Sequence, residues 1–210
     1  LLWVDPYDRV SSTLRFTEDT PLAPRSPYSA SKAGADRLAY SFWATHNTPI
    51  VIARASNNYG PNQFPEKVIP LFITNAIDDR TVPLYGDGLN VRDWLHVDDH
   101  CRALDLLIAD GEPGEVYNVG GGHEITNIEL TRELLRLLNK PDSLIQRVDD
   151  RPGHDHRYCL DTMKLRKLGW QPMVNFVQGL TDTVMWYQEN ESWWRPVKEN
   201  IPVFRTYYQE

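Results

Sequence analysis

The sequence predicts an α/β fold with a largely parallel sheet, and two observations bear on that expectation. Short apolar runs of strand length alternate with longer helical patterns along the chain. Polar loops at 56–61, 120–127 and 149–157, rich in Asn, Gly, Arg or His, follow such strands. An open parallel sheet presents its ligand site beyond the C-terminal ends of its strands. No apolar run approaches the ~20 residues of a membrane span.

The elements follow in order. Residues 1–13 are irregular and receive no element. Ser26 suits a helix cap and Pro27 the first helical position; Asn47-Thr48-Pro49 ends that helix near His46. The apolar run 50–55 reads as a buried strand, and 56–61 as a loop. A helix is expected from about Glu66 to Asp79, with Pro70 tolerated only near its first turn. Residues 81–85 read as a strand, Gly86-Asp87-Gly88 as a turn, 91–97 as extended and 98–109 as a helix. Another strand covers 115–119, and Gly120-Gly121-Gly122 reads as a tight strand-to-helix turn. Thr126 and Glu129 form a capping box before a helix whose Ile128, Leu134, Leu135 and Leu138 share one side. A strand at 145–148, a short helix from Thr162 to Leu168 stopped by Gly169, and a helix from Phe176 to Asn190 complete the series. The Trp- and Tyr-rich tail is expected to be broken by Pro196 and Pro202.

At 210 residues the chain fits one large domain or two small ones. A net charge of −7 argues against nucleic-acid polymers and anionic membranes as partners, while leaving room for an anionic small molecule held by a local positive cluster. Cys101 and Cys159 form no C-x-x-C and read as reduced thiols of a cytoplasmic protein. No signal peptide is recognisable, and a start without Met suggests a missing front end.

Tyr28 and Lys32 stand four apart at the start of a helix, which places them on one face. An ammonium one turn away favours a phenolate, so Tyr28 can take a proton from a sugar hydroxyl while a cofactor takes the hydride. The same residues also fit an ordinary helix start. Asn57 and Asn58 offer donors and acceptors to a hydroxyl-rich ligand, or simply form a turn. Arg92, Lys67 and Arg151 can together hold a diphosphate; Arg92 also suits a surface pair with Asp93. His96 and His100 have a metal-like spacing but no third ligand or H-E-x-x-H order, and an acidic helix start explains Asp98 and Asp99 better. No metal is expected. The three glycines at 120–122 do not complete G-x-G-x-x-G.

The segments SPYSASKAGAD (26–36), SNNYGPNQFPEKVIP (56–70), PLYGDGLNVRDWLHVDDH (83–100), GEVYNVGG (114–121) and DRPGHDHRY (150–158) together resemble the nucleotide-sugar 4,6-dehydratases that act on dTDP-glucose, within the extended short-chain dehydrogenase/reductases. The resemblance runs from about Phe16 to about Trp194. It implies a Rossmann-like doubly wound parallel sheet, incomplete here, plus a small C-terminal α/β substrate domain. The implied division is a leader at 1–13, the remainder of the NAD-binding domain at 14–60 and a mainly substrate-binding part at 61–210, with elements interleaved. It implies NAD as cofactor, Tyr28 as base, and Lys32 as the group that tunes it and binds the ribose. Asn58 would contact NAD and Asn57 the substrate. Lys67, Val68, Pro83, Leu84 and Tyr85 would surround the nucleotide, and Arg92 would pair with the diphosphate. Asn127 and the loop Asp150, Arg151, Pro152, Gly153 and His154 would complete the pocket.

The implied reaction oxidises C4 transiently, eliminates water across C5–C6 and yields dTDP-4-keto-6-deoxyglucose, in a cytoplasmic homodimer. The family carries a Thr-Asp-Glu triplet upstream of the Tyr, supplying the elimination acid and base, and no such triplet occurs here. The chain therefore resembles the C-terminal part of such an enzyme behind a divergent leader, and an exposed sheet edge would make it poorly soluble alone. A non-catalytic nucleotide-sugar-binding remnant is the alternative, and a sugar-nucleotide 4-epimerase a lower-ranked one.

Overall fold

Ser26 accepts a hydrogen bond from the Ser29 amide and opens a 20-residue helix, α1 (Pro27–His46), which ends where Asn47 turns left-handed at φ 54°. The computed structural model describes residues 15–150 and 153–200. After α1 come β1 (Ile52–Ala55), β2 (Asn57–Tyr59), α2 (Val68–Ile77), β3 (Val82–Tyr85) and β4 (Val91–His96). Then follow α3 (Val97–Asp110), β5 (Val116–Val119), β6 (His123–Thr126), α4 (Asn127–Leu137), β7 (Ile145–Val148), α5 (Met163–Lys167), α6 (Phe176–Glu189) and α7 (Glu191–Asn200). The expected leader at 1–13, Arg151, Pro152 and Pro202 lie outside the described residues.

The chain divides into two compact, interleaved units. The first takes the described parts of Leu1–Asn58, Asn90–Ile125 and Arg151–Val174; the second takes those of Tyr59–Leu89, Thr126–Asp150 and Asn175–Glu210.

In the first unit β1 pairs in parallel with β5, Ile52 opposite Val116 through Ala55 opposite Val119. A three-stranded sheet has the order β2-β4-β6. The core behind these strands gathers Leu95, Ala103, Leu107, Tyr117, Val119, Leu165 and Trp170. Asp99, in the first turn of α3, is turned inward rather than solvated. Its carboxylate accepts from the Met173 amide at 2.9 Å and the Val174 amide at 3.0 Å, tying the segment after α5 to α3. Gly121 runs so close to β4 that a Cβ there would fall 1.8 Å from the Trp94 carbonyl oxygen, so only glycine fits.

In the second unit β3 pairs in parallel with β7, Val82 opposite Ile145 through Tyr85 opposite Val148. α2 is apolar nearly all round and buries eight of its ten residues, as such a helix must. α4 starts with the expected capping box, Thr126 with Glu129.

Three sequence expectations change. The loop 56–61 contains the short strand β2, because its Asn residues pair in a sheet despite low strand propensity. Gly120–Gly122 join β5 to β6 rather than a strand to a helix. The tail does not break at Pro196: α7 runs through it. Tertiary contacts hold that helix. Trp194 is fully buried and its Nε1 donates to the Tyr187 carbonyl at 2.7 Å. Lys198 donates to Thr74 Oγ1 at 3.0 Å and Asn75 Oδ1 at 2.8 Å.

Candidate active site

The first unit places the Tyr28–Lys32 pair on the flank of α1, one turn apart, with both side chains exposed. A buried ion pair helps to hold the helix in place. Asp36, one turn further along, receives Arg54 Nε at 2.7 Å and Nη2 at 3.1 Å, and both side chains are 4 % exposed. Arg54 Nη1 also donates to the Glu18 carbonyl at 3.0 Å. Burial alone would raise the Asp36 carboxyl, but the hydrogen bonds and charges of Arg54 and Arg37 outweigh it and hold the group below its ordinary 3.8. Thus α1 is pinned to β1 beneath its exposed chemistry. No feature of the sequence announces this pair, whose members stand 18 residues apart.

Asn57 and Asn58 open β2, one residue beyond the end of β1. Asn57 Oδ1 is buried and accepts no hydrogen bond among the described residues, so it suits a ligand donor. Asn58 Nδ2 donates to the Ser56 carbonyl at 3.2 Å, and its Oδ1 lies 2.9 Å from His100 Nδ1. Arg92, on β4, anchors the 155–158 segment. Its Nη2 donates to the Asp155 carbonyl at 2.8 Å, and its guanidinium lies 4.4 Å from the centre of the Tyr158 ring. Gly153, at φ 68°, passes beside the Arg25 carbonyl at the entry to α1, and His154 neighbours it in the same loop. Asp93 is fully buried, and burial pushes its carboxyl up to about 7 while the His123 amide, donating at 3.0 Å, opposes the shift.

His96 and His100 do not converge. His96 caps α3, accepting from the Asp98 amide at 3.3 Å, while His100 turns to Asn58. A separate cavity of about 620 Å³ in this unit is lined by Glu18, Arg37, Tyr40, Arg54, Glu115 and Lys164 among others, and by none of the site residues expected from the sequence.

The second unit gathers its share of those residues at the C-terminal ends of β3 and β7. Tyr85 leads into the turn Gly86-Asp87-Gly88. The Gly86 amide donates to the Val148 carbonyl at 2.9 Å, and the Ile128 amide to the Gly88 carbonyl at 2.9 Å. Asn127 therefore sits at the start of α4 beside the turn. Asp150 lies against Gly86, within 3.3 Å of where a Cβ would be. Pro83 and Tyr85 are half-buried, whereas Leu84 is 2 % exposed and packs under Gly88. Only its backbone is left to meet a ligand, because alternate residues of a strand face opposite sides. Lys67 caps α2 from outside, without a side-chain bond, and Val68 begins the helix.

Comparison with known proteins assigns the chain to a family. The family model described as GDP-mannose 4,6 dehydratase matches residues 7–183. A dTDP-glucose 4,6-dehydratase of Actinoplanes sp. is 56% identical over 180 residues, 85% of this chain and 56% of that protein. One of Streptomyces niveus is 51% identical over 182 residues, 86% of this chain and 54% of that protein. The chain thus spans about half the length of the curated relatives it matches. The crystal structure of dTDP-glucose 4,6-dehydratase from Bacillus anthracis in complex with NAD superposes at a TM-score of 0.85, with 52% identity, over 91% of this chain and 61% of that one. A UDP-glucose 4-epimerase of Thermus thermophilus, also solved with NAD, matches at a TM-score of 0.81 with 31% identity, over 88% of this chain and 61% of that one. The architecture is accordingly Rossmann-like α/β, and the chain belongs to the GDP-mannose 4,6 dehydratase family.

Proposed function

We propose that this chain carries the sugar-oxidising base and much of the substrate pocket of an NAD-dependent dTDP-glucose 4,6-dehydratase, which forms dTDP-4-keto-6-deoxyglucose. The observation that carries the reading is Tyr28 and Lys32, exposed one turn apart on a helix locked to the sheet by Asp36 and Arg54. The orphaned Asn57 Oδ1 beyond β1 adds a group that fits a hydroxyl-bearing ligand.

In this reading Tyr28 Oη takes the proton of the sugar 4-hydroxyl. Lys32 stabilises the phenolate and meets the cofactor ribose, and Asn58 meets the cofactor through its amide. NAD, when bound, supplies the hydride acceptor at C4 and the hydride donor at C6. Asn57 faces the sugar. Lys67, Val68, the backbone of Leu84, Pro83, Tyr85, Asn127 and Asp150 serve the nucleotide. Arg92 and the loop through Arg151, Pro152, Gly153 and His154 serve the diphosphate. Identity of 52% with a dehydratase against 31% with an epimerase favours elimination over epimerisation.

A homodimer is proposed through α1, where Ser31, Gly34, Ala35, Leu38, Phe42 and Thr45 form an exposed face without a charge. A cytoplasmic setting is proposed from the two free thiols, Cys101 and Cys159. Among the described residues no helix is long and apolar enough to cross a membrane.

The test is turnover of dTDP-glucose with NAD, read as the alkaline absorbance of the keto product. In a protein completed to the full length of its relatives, Tyr28→Phe should lower kcat by roughly 10²–10⁴-fold, the usual worth of a positioned base. Wild-type turnover in Tyr28→Phe would refute the catalytic assignment, and binding of dTDP-glucose without product would favour a non-catalytic binding protein.

A further inference from the structure

His100 entered as half of a metal-like pair and ends beside Asn58, 42 positions away in sequence. The hydrogen-bond logic of that contact runs in one direction. The Ser56 carbonyl can only accept, so the Asn58 amide nitrogen must face it, as the 3.2 Å contact has it. That turns Oδ1 towards His100, and Oδ1 too can only accept. The ring nitrogen 2.9 Å away must therefore carry a proton, which makes Nδ1 the donor. Burial pushes the imidazole below its ordinary 6.5, which favours the neutral ring. In that form Nδ1 bears hydrogen and Nε2 a lone pair.

We infer that His100 is a positioning residue: its Nδ1–H completes the hold on the Asn58 amide, whose direction the Ser56 carbonyl sets. Ser56 grips the amide nitrogen from the strand side, and His100 grips the oxygen from α3. An Asn amide carries a donor at one end and an acceptor at the other, so a flip exchanges what it offers a ligand. A side chain that meets a cofactor must therefore be held against that flip. The holding of Asn58 stands on the contacts themselves; its consequence for cofactor binding rests on the NAD reading above.

The experiment uses the whole chain, labelled with ¹⁵N. A long-range ¹H–¹⁵N spectrum of the histidine rings should show His100 with its proton on Nδ1. The Asn58 side-chain amide should give one displaced, exchange-protected pair of signals. His100→Asn places an amide nitrogen close to the ring's Nδ1 position and should preserve those Asn58 signals. His100→Gln, whose nitrogen reaches the Nε2 position instead, and His100→Leu should lose them. NAD titration should then give wild-type affinity for His100→Asn. For His100→Gln and His100→Leu binding should be about two- to tenfold weaker, the worth of one hydrogen bond.

A proton on Nε2, or Asn58 signals unmoved in His100→Leu, overturns the inference whatever NAD does. Equal NAD affinity in all four proteins overturns the functional consequence. If the wild type shows the Nδ1 proton and the held amide yet binds no NAD, His100 still positions Asn58 and the functional consequence for this chain falls.

Discussion

Helices α1 and α2 solve opposite problems. α1 is 20 residues long and buries only Ser29, Ala33 and Asp36. α2 is ten residues long and buries eight of them. α2 is held as core helices usually are, by apolar side chains on every side, among them Ile69, Phe72 and Ile73. α1 has too little buried surface for that. It is held instead by the small residue Ala33 among Phe16 and Leu160, and by the one carboxylate of Asp36 on Arg54. The contrast separates scaffold from equipment. A helix that leaves Tyr28, Lys32 and a further apolar face exposed has little else to bury, so its attachment is concentrated in a few specific contacts.

The comparison breaks most visibly at Asp36. Asp36→Ala removes the carboxylate that both Nε and Nη2 of the buried Arg54 meet, and breaking a buried pair in this way costs about 3–5 kcal/mol. The loss should appear as a large drop in urea midpoint and as rapid amide exchange along α1. The double substitution Asp36→Leu with Arg54→Met removes both charges and should recover much of that loss. The pair also sets an acid limit. The folded carboxyl titrates below its unfolded 3.8, so its stabilisation is complete above that pH and disappears as pH falls through the lower, folded value. Asp36→Ala should therefore narrow its gap to the wild type as pH falls below 3.8. A gap that is constant across that window would mean that packing, not charge, holds α1.

At α2 the matching test is Ile73→Ala. Ile73 is fully buried, and removing its side chain should cost about 2–5 kcal/mol through lost burial and an unfilled cavity. No pH dependence accompanies it, because no titrating group is removed. If Ile73→Ala cost less than Ile→Val substitutions usually do, about 0.5–1.5 kcal/mol, the second unit would be packed more loosely than its burial shows.

What was legible in the sequence is what depends on near neighbours. Ser26 with Pro27, the Thr126–Glu129 box and the left-handed Gly169 mark helix ends because each acts within one turn. The spacing of Tyr28 and Lys32 survives for the same reason. What was not legible depends on distant partners. Asn57, His123 and Glu124 are poor strand formers, and only the β2-β4-β6 pairing makes strands of them. Pro196 should break a helix, but the burial of Trp194 and Lys198 carries α7 through it. The contacts of Asp36 with Arg54 and of Asn58 with His100 join residues 18 and 42 apart, and no local pattern encodes either. Arg92 was expected from its charge to meet a phosphate, and its hold on the Asp155 and His156 carbonyls, in a loop more than sixty residues away, had no local signal.

The smallest stability effect is expected on the open face of α1, and it sharpens the contrast most. Leu38 and Phe42 are 61% and 48% exposed, one turn apart and opposite the buried stripe of Ser29, Ala33 and Asp36. Leu38→Lys and Phe42→Lys place good helix formers in solvent, so monomer stability should move by no more than about 0.5 kcal/mol. Self-association is another matter. An ammonium on each copy of an apolar face that meets its own symmetry mate brings like charges together and leaves them poorly solvated. Sedimentation at micromolar concentration should therefore give a dimer for the wild type and a monomer for the double variant, with the unfolding midpoint extrapolated to low concentration unchanged. A dimer that survives both lysines would place the interface elsewhere. A marked loss of monomer stability would show that this face packs within the chain, and the distinction between α1 as equipment and α2 as scaffold would fail.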